Sequence, residues 1–159
     1  MYFAYGSNLD WEQMKQRCSS VSFVCKAKLP KFKIAFTKWS KDRECWVADI
    51  IEDELSAVWG VVYNVNELDI GRLDKSEGYN PNKPGDGYRR VEIRVYEDGD
   101  EGNEEKKYIG KPLTVFTYVV FKKELKKRTV EKYKQQIIIG AKYWHLPPEY
   151  IEMLKKIEV

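Results

Sequence analysis

The tightest constraint on this chain lies in its first ten residues, MYFAYGSNLD, which read as a strand, a tight polar loop and a helix start. Tyr2-Phe3-Ala4-Tyr5 is an aromatic-rich strand candidate. The chain turns at Gly6, runs through Ser7 and Asn8, and reaches Asp10 ahead of Trp11-Glu12-Gln13-Met14. Asp10 is placed as an N-cap, and Gln13 completes a capping-box pattern. Such a junction leaves backbone N–H groups unpaired at the positive end of a helix, a ready place for a carboxylate or a developing oxyanion. Gly6 lets a ligand approach the main chain, and Ser7 and Asn8 add short hydrogen-bonding side chains. A βα turn that needs Gly and Asn for its dihedrals and binds nothing explains the same residues.

Beyond a first helix over Trp11–Cys18, alternation predicts short strands over Ser22–Ala27, Phe32–Thr37 and Cys45–Ile51. Ala57–Val65, AVWGVVYNV, is the most continuous apolar run and reads as a central strand covered on both faces. Asn66 caps a short helix that is expected to stop near Lys75, because Glu77-Gly78-Tyr79-Asn80-Pro81 is turn chemistry. Tyr88–Tyr96 and Leu113–Phe121 are strands, and the polar, acidic Glu97–Lys107 between them reads as a hairpin tip or insertion. Thr129 is placed as the cap of a helix with Val130, Tyr133, Ile137 and Ala141 on one stripe. A last helix opens at Pro147-Pro148 and is expected to bury Tyr150, Met153, Leu154 and Ile157. A helix early, strands through the middle and helices late give an α+β class. The expected architecture is a mixed-strand curled sheet or small β-barrel flanked by helices, one domain over 1–159.

Composition narrows the function. Acidic and basic residues nearly balance, at a net charge of +3, so no concentrated basic face calls for nucleic acid. Lys122–Arg128 carries five basic residues but lacks the interleaved aromatics that stacked bases need, and reads as a solvated connector. No apolar run approaches the ~20 residues of a membrane span, and the first residues read as strand rather than leader. Cys18, Cys25 and Cys45 are odd in number and lack CxxC spacing. They suit buried thiols in a reducing compartment, which sets the expected location as cytoplasmic, and no metal site is expected.

His145 is the sole histidine, so Ser-His and Cys-His schemes have one candidate base, seated at a helix exit where a structural role fits better. No phosphate loop or dinucleotide fingerprint is present: Gly85-Asp86-Gly87 lacks the third glycine and a following helix. No cofactor is expected. Carboxylates remain, and Glu77 stands out by position, beside Gly78 at the start of a loop, where a fold can present a base without giving up core packing. Position alone leaves it one acidic residue among many. Tyr5, Tyr88, Tyr118 and Tyr133 are the second set, although strand tyrosines are usually packing residues with a satisfied hydroxyl.

Four stretches together resemble the γ-glutamylcyclotransferase family, in order and over almost the whole chain. They are Tyr5-Gly6-Ser7-Asn8-Leu9; Val58–Tyr63 with Leu73-Asp74-Lys75-Ser76-Glu77-Gly78; Gly87-Tyr88 leading into Arg90–Val95; and Tyr133-Lys134 through Ile139-Gly140-Ala141-Lys142 to Leu146-Pro147, Tyr150 and Leu154–Ile157. The loop is similar to that of γ-glutamylcyclotransferases proper rather than of members whose loop reads YGTL. The resemblance implies the barrel fold and a catalytic Glu77. It also implies a substrate loop over Tyr5, Gly6, Ser7, Asn8 and Leu9, with pocket tyrosines at Tyr88, Tyr118 and Tyr133. The implied reaction needs no cofactor: the substrate's α-amine attacks its own γ-glutamyl carbonyl, 5-oxoproline forms, and an amine leaves. The implied partner is a small γ-glutamyl substrate, and the family suggests a homodimer that the sequence itself does not show. The chain departs from the pattern in the 38–46 turn and in Glu97–Lys107, so the released amine stays open between an amino acid, a γ-glutamyl-lysine crosslink and a biosynthetic γ-glutamyl amine. A non-catalytic binder on the same fold is the other class, and it has no need of the base.

Overall fold

A computed structural model of the chain describes residues 1–82, 85, 87–99, 110–125 and 127–159. Five strands close a barrel: β1 (Tyr2–Ala4), β2 (Ser22–Ser40), β3 (Cys45–Asn64), β4 (Tyr88–Glu97) and β5 (Pro112–Val120), in the order β1-β3-β2-β4-β5. Neighbours are antiparallel except β1 and β5, which close the barrel in parallel at Tyr2↔Phe116. Four helices dress it: α1 (Trp11–Arg17), α2 (Glu67–Glu77), α3 (Glu131–Tyr143) and α4 (Pro148–Lys155). The mixed barrel with flanking helices is the α+β architecture expected.

The short strands expected over 22–37 and 45–65 are instead two long ones. β2 and β3 pair from Ser22↔Asn64 to Ser40↔Cys45, and the pairing bends rather than breaks. Between Pro30↔Ala57 and Phe32↔Glu52 the register slips, where proline lacks a ladder donor and Lys31 takes a φ of 64°. Asp53 and Glu54 project there and meet Lys33 and Lys31. Bulges of this kind let a 19-residue strand curl round a barrel.

Helix boundaries moved for local reasons. Asp10 caps α1 as expected, accepting from the N–H groups of Glu12 and Gln13. Gln13 does not complete a capping box, because the Asp10 N–H is taken by the Ser7 carbonyl at 3.1 Å. Thr129 does not cap α3; its hydroxyl donates to the Trp46 carbonyl at 2.7 Å, and Val130 holds the cap position. Helix α4 buries Tyr150 and Leu154 but leaves Met153 exposed. The core fills the barrel and the space beneath α1 and α3, with Phe3, Leu9, Met14 and Tyr63 fully buried, each contributing roughly 1.5–3 kcal/mol. The expected 97–107 hairpin tip falls largely on residues 100–109, outside the described residues.

Basic residues of the 122–128 connector are used internally. Lys123 pairs with Asp49, Lys127 with Glu124 above the Trp46 ring, and Arg128 with Glu158.

Candidate active site

Helix α2 runs two residues past the expected stop, so Glu77 is its last residue. Gly78 ends the helix with a left-handed φ of 67° and donates its N–H to the Lys75 carbonyl, a conformation in which a side chain would be strained. The carboxyl is thereby fixed at a helix end instead of riding on a loop. Asp69, nearer the start of α2, is buried and accepts from the Ser19 and Ser20 N–H groups and the Ser20 hydroxyl, which ties α2 to the exit of α1.

The chain after β1 forms a single 3-10 turn, Ser7–Leu9. Its carbonyls are all held from behind. Leu9 N–H donates to Gly6, Asp10 N–H to Ser7, the Tyr63 hydroxyl to Asn8 and the Trp144 indole to Leu9, at 2.9–3.1 Å. Helix α3 presses on the back of this turn at Gly140, where a Cβ would lie 2.5 Å from the Leu9 carbonyl carbon. The Leu9 N–H is therefore committed and its side chain buried, and Leu9 does not line the cavity in front; Gly6, Ser7 and Asn8 do. At Gly6 the space where a side chain would stand is taken by Ala48, with the Ala48 Cβ 3.0 Å from that position.

Glu77 faces this turn across a cavity of about 290 Å³, near the small end of ligand sites. Its Oε1 accepts from Asn8 Nδ2 at 3.2 Å and from Arg17 at 2.9 Å. Asn8 is saturated: Nδ2 also donates to the Tyr2 hydroxyl, while Oδ1 accepts from Gln13 and Arg17. Its side chain thus positions Glu77.

The four predicted tyrosines all line the cavity, and their hydroxyls already have partners. Tyr5 donates to the Tyr118 carbonyl, Tyr118 to Asp74, and Tyr88 to the Ala48 carbonyl. Tyr133 accepts the Ala48 N–H at 3.2 Å, with the Ser7 hydroxyl as its neighbour. Burial pushes all four above the ordinary phenol value, and for Tyr118 the Asp74 carboxylate adds to it. These four hydroxyls therefore stay protonated at physiological pH. Burial also pushes the Cys18 and Cys25 thiols up to about 11, which keeps both as thiols near neutral pH.

Sequence reasoning missed Tyr2, Arg17, Lys38 and Arg43, which also line the cavity, and Gln13. Arg43 reaches Gln13 and Gln136 and lies over the Tyr133 ring. One signal was available: Gln13 and Arg17 are four apart and so share the helix face behind the loop. His145, by contrast, sits outside the cavity in a left-handed conformation past α3, its carbonyl accepting from Lys26.

A half-buried carboxylate, Glu77, beside the Gly6–Asn8 turn in a small cavity lined by tyrosine hydroxyls has the make-up of a site for proton transfer on a small substrate. Comparisons with known proteins give the family. The family model described as gamma-glutamyl cyclotransferase, AIG2-like, matches residues 2–146. The gamma-glutamylcyclotransferase of Homo sapiens is 35% identical over 162 residues, covering 99% of this chain and 78% of the human one. That of Mus musculus is 36% identical with the same coverage. A solved gamma-glutamyl cyclotransferase structure superposes with a TM-score of 0.83 at 35% identity, covering 99% of this chain and 86% of that one. The chain belongs to the γ-glutamylcyclotransferase family and is an enzyme of that type.

Proposed function

We propose that this chain converts a γ-glutamyl amide to 5-oxoproline and a free amine, with Glu77 as the general base and acid. The observation that carries this is the placement of Glu77 opposite the 3-10 turn, held by Asn8 and Arg17. The substrate's α-ammonium gives a proton to Glu77; Arg17 and Asn8 both engage Oε1, so Oε2 is assigned to receive it. The α-nitrogen then forms a bond to the γ-carbonyl carbon. Glu77 returns that proton to the departing nitrogen as its bond to the carbon breaks, and the second proton of the attacking nitrogen then passes through the same carboxylate to the released amine, leaving a lactam N–H and an ammonium. Protons and electrons balance within the substrate, and no cofactor is called for.

The developing oxyanion is assigned to the N–H groups of Gly6, Ser7 and Asn8; losing one such donor typically costs ~3–4 kcal/mol of barrier. Tyr5, Tyr88, Tyr118 and Tyr133 shape a cavity that holds the glutamyl chain folded back on itself, which supplies part of the rate. Three free cysteines support a reducing, cytoplasmic setting. A homodimer belongs to the same reading, supported by the exposed Phe23, Ile139 and Tyr143 around one recess; a monomer mass by light scattering would contradict it.

The test is to incubate the protein with γ-glutamyl dipeptides in heavy-oxygen water. The expected products are 5-oxoproline and free amino acid in equal amounts, with no label from solvent. Labelled glutamate would instead show hydrolysis and overturn the reaction.

A further inference from the structure

Residues 41–44 turn β2 into β3, closing at Ser40↔Cys45, and Glu44 holds a left-handed φ of 51° there. From this turn Arg43 reaches back behind the 3-10 turn of residues 7–9. Its half-buried guanidinium lies over the Tyr133 ring, 5.2 Å from the centroid. Nη1 donates to Gln136 Oε1 on α3 at 2.9 Å, and Nη2 donates to Gln13 Oε1 on α1 at 2.6 Å. Three elements far apart in sequence meet on one cation.

These two contacts set the direction of the hydrogen bonds that follow. A guanidinium only donates and a carboxylate only accepts. With its oxygen on Arg43, Gln13 turns its NH2 the other way. Nε2 donates to Ser7 Oγ at 3.1 Å and to Asn8 Oδ1 at 3.0 Å. With its own oxygen so occupied, Asn8 turns Nδ2 to Glu77 Oε1 and to the Tyr2 hydroxyl. The Ser7 oxygen likewise accepts, which leaves the Ser7 proton for the Tyr133 hydroxyl. A second branch runs from Arg43 through Gln136 to Asp10 Oδ2 on the cap residue of α1. Gln136 also donates to Gln13 Oε1 at 3.1 Å, so both lone pairs and both protons of the Gln13 amide are used. Turned over, that amide would set its oxygen against the Asn8 oxygen and withdraw both donors. The network starts at a group that can only give and ends at two carboxylates, and bonds aligned in one direction strengthen one another.

We propose that Arg43 is a positioning residue of the cyclotransferase site: through Gln13 it sets which way the Ser7 and Asn8 side chains face, and thereby where the Glu77 carboxylate stands. This rests on the cyclotransferase reading above. Arg43 acts through Gln13 and touches no reacting atom. Its loss displaces the base without removing a group that grips the substrate, so the effect falls on kcat.

The experiment measures 5-oxoproline release from γ-glutamyl-alanine by the wild type, R43M, Q13E, Q13M and the R43M/Q13M double variant. R43M should lose about 10-fold in kcat while KM stays within about threefold. Q13E keeps an oxygen on Arg43 but offers Ser7 and Asn8 no donor, so its kcat should fall at least as far. Since Arg43 works through Gln13, the double variant should be no slower than Q13M alone, whereas independent losses multiply. Wild-type kcat in R43M or in Q13E, a loss confined to KM, or losses that multiply in the double variant would overturn the role of Arg43 and leave the cyclotransferase reading standing. A wild type that makes no 5-oxoproline overturns both. Thermal unfolding of each variant separates a folding defect from a misplaced base, and if R43M does not fold, Q13E decides, because it leaves Arg43 in place.

Discussion

The floor and the lip of the cavity are built on opposite principles. The floor comes from β1, β3, β4, β5 and α3; its tyrosines are buried, neutral and committed to fixed partners. The lip comes from the end of β2 and the turn into β3 and is charged, with Lys41 and Asp42 exposed and Lys38 and Arg43 half-buried. The floor's hydroxyls are tied to fixed partners, and in the proposed mechanism they shape the cavity beside Glu77. On the proposed reading the lip faces the departing part of the substrate, which is the part that differs between substrates. On that reading the chemistry and the choice of amine reside in different parts of the chain.

That division can be broken at several depths. Arg17→Met removes a guanidinium that holds both Glu77 and Asn8 at 2.8–2.9 Å. Because small misplacements of a catalytic group are costly, kcat should fall by up to about 100-fold. The loss should be alike for γ-glutamyl-alanine and γ-glutamyl-ethylamide; a loss confined to one substrate would blur the line between floor and lip. Gly140→Ala forces a methyl into the Leu9 main chain from behind. It should cost about 1–3 kcal/mol in denaturant unfolding and lower kcat on both substrates, whereas wild-type stability would mean that α3 does not brace the turn.

The smallest expected effect is that of Asp69→Asn, at about 1–2 kcal/mol. Hydrogen bonds from Ser20, then those from Ser19 and the charge of Arg72, hold the Asp69 carboxyl below its ordinary value of 3.8. A depressed carboxylate contributes stability that is present above its unfolded value and is lost as pH falls through its folded one. The stability gap between wild type and D69N should therefore narrow below pH 3.8, which acid titration of the unfolding free energy will show. A gap independent of pH would remove the charge from the explanation.

Much of this was legible in the chain because it is local. The strand, turn and capped helix of the first seventeen residues follow from Gly6, Asp10 and the aromatics around them, and Gly78 announces the end of α2. Long-range register was not legible. The strands expected over Ser22–Ala27 and Phe32–Thr37 are one, and only the partner strand shows that the ladder runs on past Pro30. The meeting of Asn8 with Glu77 spans 69 residues, and that of Arg17 with Glu77 spans 60, so no window along the sequence contains them. The family resemblance brought Glu77 and the loop to attention together. It could not reveal that the Asn8 side chain is fully used, that Leu9 faces the core, or that the Arg43 guanidinium lands on Gln13, since each depends on what packs against it.

The most direct test of the account is Glu77→Gln, which keeps the shape and the contacts with Asn8 and Arg17 but cannot take the proton. The variant should fold with wild-type stability and bind 5-oxoproline in calorimetry, while 5-oxoproline release from γ-glutamyl-alanine falls by at least ~100-fold. Release at the wild-type rate would contradict the assignment of Glu77 and, with it, the proton path on which the mechanism rests.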